Sequence, residues 1–152
     1  MRALVLVVHI TAGGLGLAFG PALLALAKRP EWRARAEVAY QVSVAVVCAT
    51  ALGLVALRPQ FWFLAPLAVG TEAAALAGWR ARRRRWPRWR AWYIRFMAGS
   101  YVALVTAIIA ASVFSPVLWL LPTLVGAPII EYAAARANGG RGRDLAARDT
   151  PR

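Results

Sequence analysis

A chain of 152 residues that is 61% hydrophobic, with mean hydropathy +0.55 and net charge +13, has too few polar residues to surround a soluble core. The nineteen basic residues fall in clusters, and long apolar stretches separate them. That pattern excludes a soluble domain of ordinary composition and leaves a single membrane domain.

The apolar stretches run over residues 3–27, 37–57, 61–79, 93–114 and 117–135. Each is near the ~20 residues that a helix needs to cross a ~30 Å hydrocarbon core. The expected fold is an all-α, polytopic transmembrane helical bundle with five spans. Only Ser115-Pro116 separates the last two stretches, so a four-span variant with one re-entrant segment stays open. Proline at 116 favours two helices, because its missing amide is lost at a first turn without cost.

Lys28, Arg29, Arg33 and Arg35 follow the first stretch, seven arginines lie between Arg80 and Arg90, and five more follow the fifth. The opposite side receives Arg2 and Arg58. By the positive-inside rule the amino terminus is outside and the carboxyl terminus cytoplasmic, in a cell membrane. A cleaved signal peptide is the competing reading of the first stretch, but ~25 apolar residues exceed the 7–15 of a signal core. Residues 138–152, rich in glycine and mixed charge, are expected to be a disordered basic tail.

In chain order, the first stretch places His9, Gly13, Gly16 and Gly20 on one helix face, a seam for close helix approach inside the protomer or in a homo-oligomer. Pro21 takes away the hydrogen bond to the Leu17 carbonyl and should kink the helix. His9 lies ~9 Å below the outer boundary, where it either bonds a neighbouring carbonyl or hydroxyl or accepts a proton or ligand. Glu37, Tyr40 and Gln41 open the second stretch as one polar patch. Cys48 is a packing residue with no partner for a disulfide. Glu72 is eleven residues into the third stretch, ~16 Å deep, a candidate to carry a proton or donate a hydrogen bond.

Between Trp79 and Trp92, arginine alternates with tryptophan. Arg82, Arg83, Arg84, Arg85, Trp86, Trp89 and Trp92 are expected to contact anionic lipid headgroups, where juxtamembrane bases gain ~1 kcal/mol each. Nucleic acid, which the same composition would suggest in a soluble protein, is not expected as a partner; a membrane protein partner remains open. Arg95 in the fourth stretch should pair with Glu131 of the fifth or with Glu37, or else carry its charge to the headgroups on its long stem. Pro122 and Pro128, flanking Gly126, are expected to interrupt the fifth helix, either as a kink that neighbouring packing repairs or as a break that with Glu72 and Arg95 could wall a polar pocket.

His9-Ile10-Thr11-Ala12-Gly13, Gly20-Pro21-Ala22-Leu23-Leu24 and Lys28-Arg29 resemble the start of bacterial membrane proteins grouped as domain of unknown function 2306. Trp92-Tyr93-Ile94-Arg95, followed by Ser100-Tyr101, is similar to that family's tryptophan-x-x-arginine segment. The resemblance marks His9, Trp92 and Arg95 as functional positions. The chain departs from the family pattern where it reads Arg33-Ala34-Arg35 and Arg88-Trp89-Arg90, positions at which the family often carries histidines.

Axial bis-histidine haem ligation within one chain needs two histidines, and His9 stands alone; no cofactor or metal is expected. No metalloprotease spacing or nucleophile motif occurs. The leading functional expectation is therefore a non-enzymatic membrane component or accessory subunit. The alternatives are a small proton-coupled carrier using Glu72 and His9, and a quinone- or haem-linked redox protein.

Overall fold

A computed structural model describes residues 2–113 and 115–148. It is all helix among the described residues: α1 (Arg2–Ala25), α2 (Pro30–Leu57), α3 (Leu64–Arg83), α4 (Trp89–Ser112) and α5 (Pro116–Arg148), with single 3₁₀ turns at Leu26–Lys28 and Pro59–Phe61. Proline sets the punctuation. Each of the four connections contains an X–Pro step, at Arg29-Pro30, Arg58-Pro59, Trp86-Pro87 and Ser115-Pro116. Arg29 and Arg58 both leave the helical region (φ −118°, ψ 89° and φ −141°, ψ 85°), as the clash with a following proline ring requires. The α3–α4 connection instead bends through left-handed backbone at Arg85 and Arg88 (φ 51° and 55°).

Successive helices run antiparallel, with α1 to α4 forming a ring in which α1 meets α4. Their inward residues recur at alternating spacings of three and four: Tyr40, Val44 and Val47 on α2, Ala68, Thr71, Ala75 and Gly78 on α3, and Tyr93, Met97, Ser100 and Leu104 on α4. That period belongs to near-parallel, left-handed bundle packing. The core cluster draws on these four helices. Helix α5 lies outside the ring against α4, where Ala134 is fully buried while Val117, Leu120, Leu124 and Ile129 stay exposed.

Lipid tails are as apolar as leucine, so close packing and polar contacts hold such helices together. The glycine seam of α1 is spent inside the protomer: Gly13 faces Val47, Gly16 faces Leu104 and Ser43, and Gly20 receives the ring of Tyr101. The Tyr101 hydroxyl points to the Leu17 carbonyl (3.5 Å), the acceptor that Pro21 leaves free. Gly126 accommodates Val102 in the same manner across α4 and α5.

Four helices are long and apolar enough to cross a membrane: α1, α2, α4 and residues Val117–Asn138 of α5. The protein is a membrane-embedded helical bundle. Helix α3, 20 residues long and ~30 Å at 1.5 Å per residue, is less apolar because it carries Glu72 and Arg80, and it packs antiparallel between α2 and α4. Residues 93–135 form two helices, α4 and α5, as Pro116 suggested.

Helix α5 is continuous through Pro122 and Pro128, the repaired form of the two expected, since a proline removes one hydrogen bond and a neighbouring helix can hold the rest of the turn. One expectation is corrected. The helix continues to Arg148 across most of the segment expected to be disordered, where Leu145, Ala146, Ala147 and Arg148 have high helix propensity against the three glycines. Residues 149–152 of that expected tail lie outside the described residues.

Candidate functional site

The polar side chains between the helices form separate contacts, most of them linking two neighbouring helices. At the end away from the arginine loops, Nδ1 of His9 lies 2.9 Å from Oγ1 of Thr50, tying α1 to α2. Further along α2, Gln41 Nε2 donates to Glu72 Oε1 on α3 (3.1 Å). Across the ring, the Tyr40 hydroxyl lies 2.8 Å from Ser100 Oγ, and Ser100 is 2.8 Å from the Met97 carbonyl. Ser100 has one proton, which goes to that carbonyl, so Tyr40 is the donor. Both side chains are fully buried.

Near the basic end, Glu37 on α2 pairs with Arg82 on α3, with side chains 6% and 30% exposed. Arg33 and Arg82 both approach the Tyr93 ring, at 5.7 and 5.8 Å from its centroid. Arg95 and Glu131 join α4 to α5 through a two-pronged contact, Nε to Oε1 at 2.9 Å and Nη2 to Oε2 at 2.7 Å. Of the two partners expected for Arg95, Glu131 is the one it meets. The other, Glu37, is taken by Arg82 because α3 intervenes.

The expected polar patch of Glu37, Tyr40 and Gln41 therefore splits, with Tyr40 turned to α4 and the other two to α3. A pocket walled by Glu72, Arg95 and α5 does not form: Glu72 is bound between α2 and α3, and Arg95 sits on the outer side of α4. Arg82 is likewise not a free headgroup contact, since its guanidinium turns inward to Glu37.

The other arginines and tryptophans of residues 79–95 form a collar at one end of the bundle. Arg83 lies over Trp79 (4.3 Å), Arg85 and Arg90 over Trp89 (5.0 and 5.6 Å), and Arg95 over Trp92 (5.6 Å). Arg84 and Trp86 are exposed in the connection itself. The opposite end has its own aromatic contacts: Phe63 stacks on Trp119 at 5.5 Å, and Trp119 Nε1 donates to the Val113 carbonyl (2.8 Å) at the end of α4. Aromatic side chains at both ends match the two interfaces of a bilayer.

Several partners were not singled out from the sequence: Thr50, Ser100 and the inward role of Arg82. A signal for Arg82 existed, because it continues the Ala68, Thr71, Ala75, Gly78 stripe by one further step of four. Among the described residues no group of three or more His, Cys, Asp or Glu side chains is placed to hold a metal ion.

No family model matches this chain, and no curated protein or solved structure does either. The likeness to domain of unknown function 2306 rests on its residue patches alone. Two of those patches meet, where the ring of Tyr101 lies against Gly20, whereas His9 lies toward one end of the bundle and Trp92 with Arg95 toward the other.

Proposed function

We propose that this protein is a non-enzymatic membrane component, seated with its arginine–tryptophan end on the anionic cytoplasmic leaflet and its amino terminus outside. The observation that carries this reading is the use of the intramembrane polar groups as clasps: α1 to α2 has one, α2 to α3 has two, and α2 to α4 and α4 to α5 have one each. Groups so engaged stabilise a bundle and need no substrate. The collar supplies the second half of the reading, since arginine at the headgroup level attracts anionic lipid. Its exposed Arg83, Arg84, Arg85, Trp86 and Trp92 also suit an acidic face on a membrane protein partner, which would make the chain an accessory subunit. The likeness to domain of unknown function 2306 fits such a role without adding a reaction to it.

Replacing Arg83, Arg84, Arg85 and Arg88 by glutamine tests the proposal. Wild-type protein should co-purify with a larger share of anionic phospholipid than the variant, with membrane insertion unchanged. Loss of a protein partner in the variant would favour the accessory-subunit form. Equal lipid profiles and an unchanged set of partners would contradict both.

A second reading, a proton-coupled carrier, draws on one observation: Glu72 Oε2 and Gln41 Oε1 are both buried without a partner. A proton on Glu72 Oε2 would give Gln41 Oε1 a donor to accept from. His9 does not extend that pair, because Thr50 lies nine positions along α2 from Gln41, ~14 Å at 1.5 Å per residue. Loss of proton flux into proteoliposomes in Glu72→Gln would move the conclusion to this reading.

A further inference from the structure

The ring of α1 to α4 does not close completely in the half of the bundle away from the arginine loops. A cavity of about 530 Å³ opens there, with all four helices contributing to its wall. That volume falls within the ~300–1,000 Å³ of small-molecule sites. Its lining is mostly alanine, glycine, valine, leucine and isoleucine, a surface suited to an apolar chain.

The polar atoms in the wall are few, and their protons can be assigned. Thr50 Oγ1 lies 2.6 Å from the Val46 carbonyl and 3.0 Å from that of Val47, so its single proton points into its own helix. His9 must therefore carry its proton on Nδ1 to bond Thr50, which leaves Nε2 as an acceptor. Apart from Thr50 and the Val47 backbone, His9 has no hydrogen-bond partner among the described residues, and it lines the cavity. Thr71 and Ser112 also line it, and each donates its proton to its own helix, to the Leu67 carbonyl (2.7 Å) and the Ile108 carbonyl (2.8 Å). The hydroxyl and imidazole groups of the wall thus present acceptors. Cys48 offers the one thiol, a weak donor.

We propose that this cavity holds a long-chain amphiphile whose polar end is a hydroxyl, donated to His9 Nε2. An ester, an ether or a quinone carbonyl brings an acceptor to a wall of acceptors and loses the contact. The same chemistry is offered by a long-chain alcohol or acylglycerol and by a quinol. The inference does not depend on which leaflet the cavity faces or on the role of the arginine collar.

Binding of two matched pairs to the purified full-length protein tests it: oleyl alcohol against oleyl methyl ether, and a decyl-tailed benzoquinol against its quinone. Native mass spectrometry and thermal shift provide the readouts. Wild type should bind the hydroxyl member of at least one pair roughly fivefold tighter, as one net hydrogen bond of ~1 kcal/mol provides. The pair that shows the preference identifies the source.

His9→Phe, which keeps a ring and removes the acceptor, should bind both members of each pair equally. Thr50→Val should shrink the preference by freeing the imidazole to change tautomer, and it serves if His9→Phe does not fold. Ala107→Phe, which fills the cavity, should lose all four probes. Equal binding within both pairs in wild type, a preference that survives His9→Phe and Thr50→Val, or retention of bulk phospholipid that no probe displaces would overturn the proposal.

Discussion

Replacing Arg82 by leucine strands the carboxylate of Glu37, which is 6% exposed and already has one oxygen, Oε1, without a partner. Breaking a buried ion pair from one side typically costs ~3–5 kcal/mol. Two features lower the figure here. The Arg82 side chain is 30% exposed, so the pair is partly solvent-screened. Arg33 shares the Tyr93 ring with Arg82, and its Nε is unpartnered, so it is placed to take over part of the contact. The expected cost of Arg82→Leu is then about 2 kcal/mol.

The reverse change should be milder. Glu37→Leu leaves an arginine whose long stem can carry its charge to the headgroups, so the loss should be about 1 kcal/mol. The double variant should be more stable than Arg82→Leu alone, because no buried charge remains. Unfolding in mixed detergent and dodecyl sulfate micelles, followed by tryptophan fluorescence, measures all three. A Glu37→Leu loss equal to or greater than that of Arg82→Leu, or strict additivity in the double variant, would refute the reasoning.

Other positions give sharper steric outcomes in the same assay. Gly126→Ala would bring its new methyl within 2.6 Å of Val102 Cγ2, and an overpacked site of this kind should lose about 1–3 kcal/mol. Gly78→Ala meets Met97 Cγ at 2.9 Å, but a flexible methionine can move, so its loss should be smaller than that of Gly126→Ala. Gly14→Ala has open space at its Cβ and should be neutral or slightly stabilising, by up to about 1 kcal/mol from helix propensity. Tyr101→Phe removes only a 3.5 Å contact to the Leu17 carbonyl and should cost under about 1 kcal/mol, whereas Gly20→Ala, which pushes into the same ring, should cost more.

Much of the fold was legible because the bilayer leaves few options. Long apolar stretches between basic clusters can only be helices, and Ser115-Pro116 was enough to divide residues 93–135 into α4 and α5. Depth also narrowed the partners of Arg95 to Glu131 or Glu37, and Glu131, on the consecutive helix, is the one it meets. Depth alone could not choose a partner for Glu37. That depends on rotation about the α3 axis, which sends Arg82 inward while Arg83, Arg84 and Arg85 remain exposed at the end of the bundle.

Whether Pro122 and Pro128 break the helix or only bend it was open in the sequence for a related reason. A proline removes a local hydrogen bond, but whether the helix parts there depends on the packing around it, and Gly126 fits against Val102 with the helix intact. The cavity beside His9 was illegible because it belongs to no single segment. It arises where alanines and glycines of four helices, far apart in sequence, meet at the same height.

The most direct test of the central claim is the sidedness of the bundle. In a Cys48→Ala background, single cysteines replace Arg58, in the connection after α2, and Arg84, in the connection after α3, and are exposed to a membrane-impermeant maleimide. The account predicts that the cysteine at 58 reacts in intact cells and the one at 84 only in inverted vesicles. The opposite pattern, or both cysteines reacting from the same side, would contradict it.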